Sequence, residues 1–173
     1  MIEDKMSFFN DLAKILIFKV LKEEEKKHLL KLCDICSYEK NEYVISEGSV
    51  QTHMFAVIKG TVNVVVKEKS GKQVFISAIG QGDVFGEAGI FLKVKRTANV
   101  ISAEKTVLLR LERKQMLEFI KNHKEAGIKI LMLIIYSLLR KLRDANQEIA
   151  FERKSDINQD DIDSILEEFL YTE

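Results

Sequence analysis

The middle of the chain alternates short β-branched runs with glycine-bearing turns, and this pattern restricts the possible folds more than any other feature of the sequence. The clearest runs are FAVIKG at 55–60 and TVNVVV at 61–66, which Gly60 divides. Further runs begin near residues 43, 74, 99 and 106. Short strands with regular turn signals are typical of an antiparallel barrel or a jelly-roll-like sandwich. We therefore predict a β-roll over residues 38–111.

The pattern on both sides of this β-roll is helical. Residues 6–36 are predicted to form two short helices, and three glutamates at 23–25 favour the start of the second through the helix macrodipole. Residues 112–154 are predicted to form a short helix and then a long one, which from Ile128 to about Lys154 holds neither glycine nor proline. The expected fold class is α+β, a β-roll flanked by N-terminal helices and a long C-terminal helix.

The helical and strand patterns divide the chain into a folded domain and a tail. Residues 1–154 are expected to form one domain, and residues 155–173 an acidic tail. The tail carries seven acidic residues and neither lysine nor arginine. We expect it to be free to contact an effector protein.

Apolar residues on the long C-terminal helix repeat at a 4-3-4-3-4 spacing, which is typical of the seam of a two-stranded coiled coil. The residues of this predicted seam are Leu131, Ile135, Leu138, Leu142, Ala145 and Ile149. The simpler alternative is a helix that packs into the core of its own subunit. We expect a homodimer through this seam.

The charge balance and the apolar runs limit the partners. Lysine plus arginine number 27 and aspartate plus glutamate also number 27. A nucleic-acid surface needs an excess of basic side chains to contact phosphates, so we expect no nucleic-acid partner. The longest strongly apolar run, residues 130–139, is too short to cross a bilayer, and the N-terminus lacks a signal-peptide pattern. We expect a cytoplasmic protein without a membrane partner.

Two cysteines, Cys33 and Cys36, form a C-x-x-C pair. Such a pair can be a redox couple or half of a metal site. Structural zinc normally takes four protein ligands, and the chain has no second cysteine pair. The surrounding residues are typical of the end of an amphipathic helix, where both thiols would share a face with leucines. We predict buried structural thiols and no metal.

Residues 85–103, FGEAGIFLKVKRTANVISA, are the part of the chain best suited to bind a ligand. Gly86 and Gly89 let a backbone approach a ligand closely, and a helical turn beginning there would point N–H groups at an anion. Arg96 suits a bidentate grip on a phosphate, and Glu87 suits a ribose hydroxyl. The alternative is that Glu87 and Arg96 form a surface ion pair on a loop.

The same stretch resembles the phosphate-binding cassette of the cyclic nucleotide-binding domain family. The family pattern is F-G-E, two or three small or apolar residues, a loop, and R-[ST]-A-x-V-x-A. This sequence has FGE at 85–87 and RTANVISA at 96–103. The resemblance extends over residues 8 to 152. Asn41 stands where the family usually has glycine, and asparagine tolerates the left-handed conformation that such a turn needs.

The resemblance implies a pocket for a cyclic mononucleotide, either cAMP or cGMP. By resemblance, the residues that hold the ribose and the cyclic phosphate are Gly86, Glu87, Ala88, Arg96 and Thr97. Those that surround the base are Phe85, Val64, Ile76 and Ser77, with Asn146 of the C-terminal helix as a candidate base contact. Thr97 can donate a hydroxyl to a guanine edge, but it does not choose between the two bases.

The resemblance implies a regulatory sensor and no enzymatic activity. Nucleotide binding would draw the Gly86 turn and Arg96 together and change the position of the C-terminal helix. DNA-binding members carry a further winged helix-turn-helix, which the acidic tail cannot form, so we expect no DNA-binding output domain. Two alternatives stay open: a scaffold of the same fold that has lost its ligand, and a cupin-like enzyme. The second fits poorly because His28, His53 and His123 are scattered along the sequence.

Overall fold

The structure, a computed structural model, describes residues 8–68 and 70–155. It divides into two compact units that meet between Ile134 and Ile135. The first unit contains every strand described below, and the second contains the remainder of the last helix. Residues 156–173, which include all but the first residue of the predicted acidic tail, lie outside the described residues.

The strands form two antiparallel sheets of four strands each. The strands of the first sheet, in spatial order, are β1 (Asp34–Tyr38), β8 (Thr106–Glu112), β3 (His53–Lys59) and β6 (Val84–Phe85). Those of the second are β2 (Tyr43–Ile45), β7 (Asn99–Ser102), β4 (Val62–Lys67) and β5 (Gln73–Ile79). The predicted α+β fold with a β-roll is confirmed.

The helices lie on both sides of the β-roll in sequence. Before it come α1 (Phe9–Leu12), α2 (Leu16–Lys19) and α3 (Glu23–Leu32), and α4 (Ala88–Phe91) is a short turn within it. After it come α5 (Arg113–Asn122) and α6 (Lys124–Ser155). The predicted start of α3 at the glutamates is confirmed, and the carboxylate of Glu25 accepts a hydrogen bond from the N–H of Lys22. No helix in the described ranges is long and apolar enough to span a membrane.

Strand β3 is apolar along nearly its whole length because both of its faces are buried. Met54, Ala56 and Ile58 belong to a core that the strand shares with the helices. Phe55 and Val57 alternate with them and belong to a second core, which includes residues of both sheets. The first unit thus has two apolar layers, and the first sheet lies between them.

The helix predicted to run through Cys36 is wrong at its end. Cys33 has an extended backbone (φ −88°, ψ 157°), and β1 begins at the next residue, paired with β8. The pattern resembled a helix because no glycine or proline separates α3 from β1. Both thiols are free; Cys33 is buried and Cys36 is half-buried on the strand.

The long C-terminal helix begins four residues earlier than predicted, at Lys124. It continues through Gly127, where a β-carbon would lie 2.9 Å from Cγ1 of Ile120. The glycine is therefore a point of close packing against α5 and does not end the helix.

The exposure of the predicted seam differs along α6. Leu131 is half-buried, and the other residues of the seam are exposed: Ile135, Leu138, Leu142, Ala145 and Ile149. Leu139, which was not included in the seam, is 60% exposed and so more open than its neighbour Leu138 at 38%.

Candidate functional site

A glycine turn links β6 to the short helix α4. Gly86 has a φ of 71°, in the left-handed region that favours glycine, and Glu87 is the N-cap of α4. Just before the turn, Phe85 is 3% exposed and stacks on Phe55, with ring centroids 5.2 Å apart. This buried ring anchors the turn to the core between the sheets.

The guanidinium of Arg96 is attached to this turn and to β3. Nη1 donates a hydrogen bond of 2.7 Å to the carbonyl of Gly86, and Nη2 donates one of 2.5 Å to the carbonyl of His53. These two carbonyls belong to segments ten and 43 residues away in sequence. Arg96 thereby joins the loop 92–98 to the turn and to the start of β3.

The backbone N–H and the backbone carbonyl of Arg96 also both form hydrogen bonds. Its N–H donates to the carbonyl of Ser49, and its carbonyl accepts from the N–H of Gly48, both at 2.8 Å. Close by, the N–H of Glu47 donates to the side chain of Asn99 at 2.9 Å. The Arg96 side chain therefore starts from a fixed backbone position.

Gly89 provides the space in which the guanidinium lies. A β-carbon at this residue would lie 2.6 Å from Nη2, 2.7 Å from Cζ and 2.7 Å from Nη1 of Arg96. From the sequence, Gly89 was expected to make room for a ligand. In the structure it makes room for the arginine that is expected to bind that ligand.

Arg96 and Glu87 are both buried, at 9% and 4% exposure. Burial lowers the pKa of Arg96, and the nearby charge of Glu87 partly opposes this shift. The alternative of a surface ion pair does not fit side chains so little exposed. Nε of Arg96 is buried and has no hydrogen-bond partner among the described residues. An unpaired buried donor is energetically costly.

The two other residues expected to contact the phosphate each follow one of the buried charged residues in sequence: Ala88 follows Glu87, and Thr97 follows Arg96. Ala88 is exposed and opens α4, where the first N–H groups of a helix have no partner within the helix. Thr97 directly follows Arg96 and is exposed. Both are open to solvent beside the two buried charges.

The residues expected to surround a base lie in different environments. Val64 is half-buried against the core between the sheets, directly opposite Ser77 on β5, which is exposed. The register of β4 and β5 shifts between Val64 and Val65, so Ile76 is the extra residue of a bulge, and it is 49% exposed. Phe85 belongs to the core. Its contact with a base stays a prediction.

Asn146 is exposed and belongs to the second unit. Its predicted role as a base contact stays a prediction.

Some site residues carried no signal in the sequence. His53 contributes a backbone carbonyl, which any residue could supply. Ile45 lies 3.3 Å from the position that a β-carbon on Gly86 would take. Outside this site, the sequence also did not show that His28 and His123 meet, with Nδ1 and Nε2 2.6 Å apart. Each of these contacts depends on how the chain folds back on itself.

The site described above contains no cupin-like cluster. In residues 8–68 and 70–155, no three or more His, Cys, Asp or Glu side chains lie close enough to hold a metal ion together. Cupin sites need clustered histidines and a carboxylate.

Residues 35–123 match the model of a protein family described as the cyclic nucleotide-binding domain. Among curated proteins, the chain is 28% identical over 119 residues to the cAMP-activated global transcriptional regulator CRP of Pasteurella multocida (strain Pm70), covering 68% of this chain and 55% of that protein. It is 32% identical over 117 residues to the cGMP-dependent protein kinase, isozyme 2 forms cD5/T2, of Drosophila melanogaster, covering 64% of this chain and 12% of the kinase.

Among solved structures, the fold resembles a cyclic nucleotide-binding domain from Methylobacillus flagellatus KT. The TM-score is 0.75 at 19% sequence identity, covering 87% of this chain and 85% of the other. The chain spans about half the length of the bacterial regulator and a small part of the kinase. Both relatives contain regions that this chain does not match.

Proposed function

Since the chain belongs to the cyclic nucleotide-binding domain family, we propose that it is a regulatory sensor that binds a 3′,5′-cyclic mononucleotide beside Arg96. The observation that carries the proposal is the buried guanidinium with an unpaired Nε. Its position is fixed by two carbonyls and by its own backbone, so little conformational entropy is lost when an anion binds there.

Charge supports a phosphate as the ligand group. Burial disfavours the charged form of Arg96, and an anion in contact with it offsets that cost. A cyclic phosphate carries one negative charge and two oxygens outside the ring. Nε–H and the remaining N–H groups of the guanidinium can donate to such oxygens, which is the geometry that makes arginine a strong phosphate ligand.

Glu87 is proposed to bind the ribose. Its carboxylate, next to the Gly86 turn, can accept a hydrogen bond from the 2′-hydroxyl while Ala88 contributes its backbone N–H to the phosphate. Val64, Ile76 and Ser77 are proposed to contact the base. The exposed bulge residue Ile76 has apolar surface open for van der Waals packing against a base.

The base is not chosen by these residues. One relative is named as cAMP-activated and another as cGMP-dependent. Thr97 is exposed next to Arg96 and could donate its hydroxyl to a guanine edge. Calorimetric titrations with cAMP and with cGMP, side by side, distinguish the two.

The decisive experiment is nucleotide calorimetry on Arg96 variants. Arg96→Ala is expected to lose about 2–5 kcal/mol of binding free energy, because it leaves a phosphate charge unpaired in a partly buried site. Arg96→Lys is expected to recover only part of this loss, since the planar fork is absent. The matched control is Lys105→Ala, which removes a positive charge whose side chain is 73% exposed and pairs with Glu39.

Two outcomes would contradict the proposal. If Arg96→Ala binds nucleotide as tightly as the wild type, the site lies elsewhere. If the wild type binds neither nucleotide, the chain is a scaffold of the same fold, the alternative that the sequence left open.

We also infer that the second unit forms a homodimer with a second copy of the chain. The seam predicted from the sequence contained Leu138 and Ala145. We place Leu139 and Asn146 there instead, because Leu139 is 60% exposed and Leu138 only 38%. The exposed apolar residues of this series have spacings of four, three and seven: Ile135, Leu139, Leu142 and Ile149. Asn146, also exposed, lies four residues after Leu142 and three before Ile149, so it fills the gap in the series. A single asparagine at such a position is known to fix the register of two-stranded coiled coils.

A further inference from the structure

Two histidine rings, 95 residues apart in sequence, face each other in the helical layer of the first unit. Nδ1 of His28, on α3, lies 2.6 Å from Nε2 of His123, between α5 and α6. The ring centroids are 4.9 Å apart and the planes are inclined at 68°. Both residues are half-buried.

The backbone of His123 is fixed by both of its neighbouring helices. Its N–H donates to the carbonyl of Phe119 at 2.8 Å and so ends α5. Its carbonyl accepts from the N–H of Gly127 at 2.7 Å, in the first turn of α6. The rings of His28 and His123 lie 6.0 and 4.9 Å from the ring of Phe119, which is fully buried. The pair therefore lies on a rigid apolar base.

We propose that His28 and His123 bind a transition-metal ion of the class that prefers imidazole nitrogen, such as Zn²⁺, Ni²⁺ or Cu²⁺. A neutral imidazole has one nitrogen with a lone pair and one with a proton. In the ion-bound form, the proton of His28 is on Nε2 and that of His123 is on Nδ1. Without the ion, one of the two facing nitrogens donates its proton in a hydrogen bond to the other. Binding of the ion breaks this hydrogen bond and moves that ring's proton, through solvent, to its outer nitrogen, so that both facing nitrogens offer lone pairs to the ion.

The geometry needs only a small adjustment. Zinc–nitrogen bonds are about 2.0–2.1 Å, so two imidazole nitrogens on a tetrahedral ion lie about 3.3 Å apart. The two nitrogens must separate from 2.6 Å to that distance. Both backbones are held, His28 within α3 and His123 between α5 and α6, so side-chain rotation supplies the movement.

The remaining positions on the ion are filled by water. Within the described ranges, no third His, Cys, Asp or Glu joins this pair. With only two protein ligands, the ion is expected to exchange readily. It clamps α3 to the junction of α5 and α6, all within the first unit. This proposal does not depend on nucleotide binding, because it uses none of the residues around Arg96.

The test is calorimetric titration of the full chain with Ni²⁺ and with Zn²⁺, without nucleotide. One ion per chain is expected. His28→Gln and His123→Gln are each expected to weaken binding at least tenfold, because each removes one of two ligands. The matched control is Cys36→Ser, which removes the half-buried thiol and is expected to leave the affinity unchanged. Cys33 is only 1% exposed, so its thiol cannot compete for the ion without unfolding.

Electron paramagnetic resonance of bound Cu²⁺ identifies the ligand atoms themselves, which a change in affinity alone does not. The wild type is expected to show hyperfine coupling to two imidazole nitrogens, and each single variant to one. Absence of metal binding in the wild type overturns the proposal. So does a wild-type spectrum without two imidazole nitrogens, or full metal binding in the double variant His28→Gln/His123→Gln.

Discussion

At the scale of single residues, the site depends on how one guanidinium is held. Two N–H groups of Arg96 donate hydrogen bonds to backbone carbonyls. Its Nε is buried and has no hydrogen-bond partner among the described residues. Backbone carbonyls cannot neutralise its charge, so a ligand anion has most to contribute there. Gly89 is part of this arrangement, because only a residue without a side chain leaves the guanidinium its space.

Gly89→Ala is expected to weaken nucleotide binding more than it weakens folding. The new methyl group would overlap the guanidinium, which is the end of a flexible side chain and can move aside, so the cost to stability is that of the hydrogen bonds it loses. The displaced guanidinium would lose its hydrogen bonds to Gly86 and His53 and its place beside the ligand. Calorimetry is expected to show at least a tenfold loss of affinity, about 1.4 kcal/mol.

Gly80→Ala is the control for that substitution. A β-carbon at Gly80 meets no atom within 4 Å, and its φ is not in the left-handed region. Its nucleotide affinity and thermal unfolding are expected to match the wild type. Equal affinities for the two alanine variants would show that Arg96 does not need its present position.

His53 gives a pH dependence to the stability of the ligand-free protein. Burial lowers its pKa, and the positive charges of Arg96 and Arg110 lower it further, while Glu112 opposes the shift. A depressed histidine pKa means that the unfolded chain binds the proton more readily. The corresponding stability is therefore complete above the ordinary pKa of about 6.5 and is lost as the pH falls through the range between that value and the folded pKa.

His53→Gln is expected to reduce this loss. Urea denaturation at several pH values below 7 should show a smaller fall in the free energy of unfolding for the variant than for the wild type. Both proteins contain His28 and His123, so the difference between them isolates His53. Parallel curves would show that His53 does not titrate differently in the folded and unfolded chains.

At the scale of elements, α6 contains a glycine, Gly127, at a close contact with α5. Glycine is a poor helix former, so a helix start after Gly127 is the natural prediction. In the structure the helix continues through Gly127, where α6 lies so close to α5 that a β-carbon would be 2.9 Å from a side-chain carbon of Ile120 and 3.0 Å from its Cα. The close packing of α6 against α5 accommodates a glycine in spite of its low helix propensity.

Gly127→Ala tests which of the two effects is larger. Helix propensity alone would stabilise the alanine variant by about 1 kcal/mol. Overpacking against Ile120 typically costs about 1–3 kcal/mol, and the Cα atom of Ile120 cannot move aside as a side chain can. We expect a net loss of stability in chemical denaturation. Adding Ile120→Ala should lessen the effect of the glycine substitution, and a more stable Gly127→Ala protein would show that α6 can shift freely.

At the scale of the whole molecule, the two units differ in how much apolar surface they leave exposed to water. The first unit has two apolar cores of its own. The second carries a series of apolar residues on α6 that are 48–60% exposed: Ile135, Leu139, Leu142 and Ile149. An isolated helix with such a series is unstable in water unless another surface covers it. A second copy of α6 offers the same spacing and is the partner we propose.

Leu139→Glu with Leu142→Glu is expected to give monomers in sedimentation experiments. Two carboxylates on each chain would lie unpaired in an apolar interface, which disfavours association strongly. Gln147→Glu is the control, because it adds a carboxylate outside the series and should leave the dimer intact. A wild-type protein that is itself monomeric at high concentration would contradict the dimer without affecting the nucleotide proposal.

The sequence by itself determined the features that are local. The change of period at residues 43–111 predicted the β-roll, and the glutamates at 23–25 predicted the start of α3. The φ of 70° at Asn41 agrees with the expectation that asparagine replaces glycine in a left-handed turn. Periodicity, capping and turn preference act over a few residues, so they can be read without knowing the fold.

Only the tertiary structure decided which distant groups meet. The stretch Asp34–Tyr38 is a strand because β8 offers it partners, including Arg110, which pairs with Asp34 at 3.0 Å. Gly89 serves Arg96, and His28 meets His123, because segments far apart in sequence pack together. Hydrogen-bond partners, burial and close contacts are properties of two surfaces at once, and one stretch of sequence carries the pattern of only one of them.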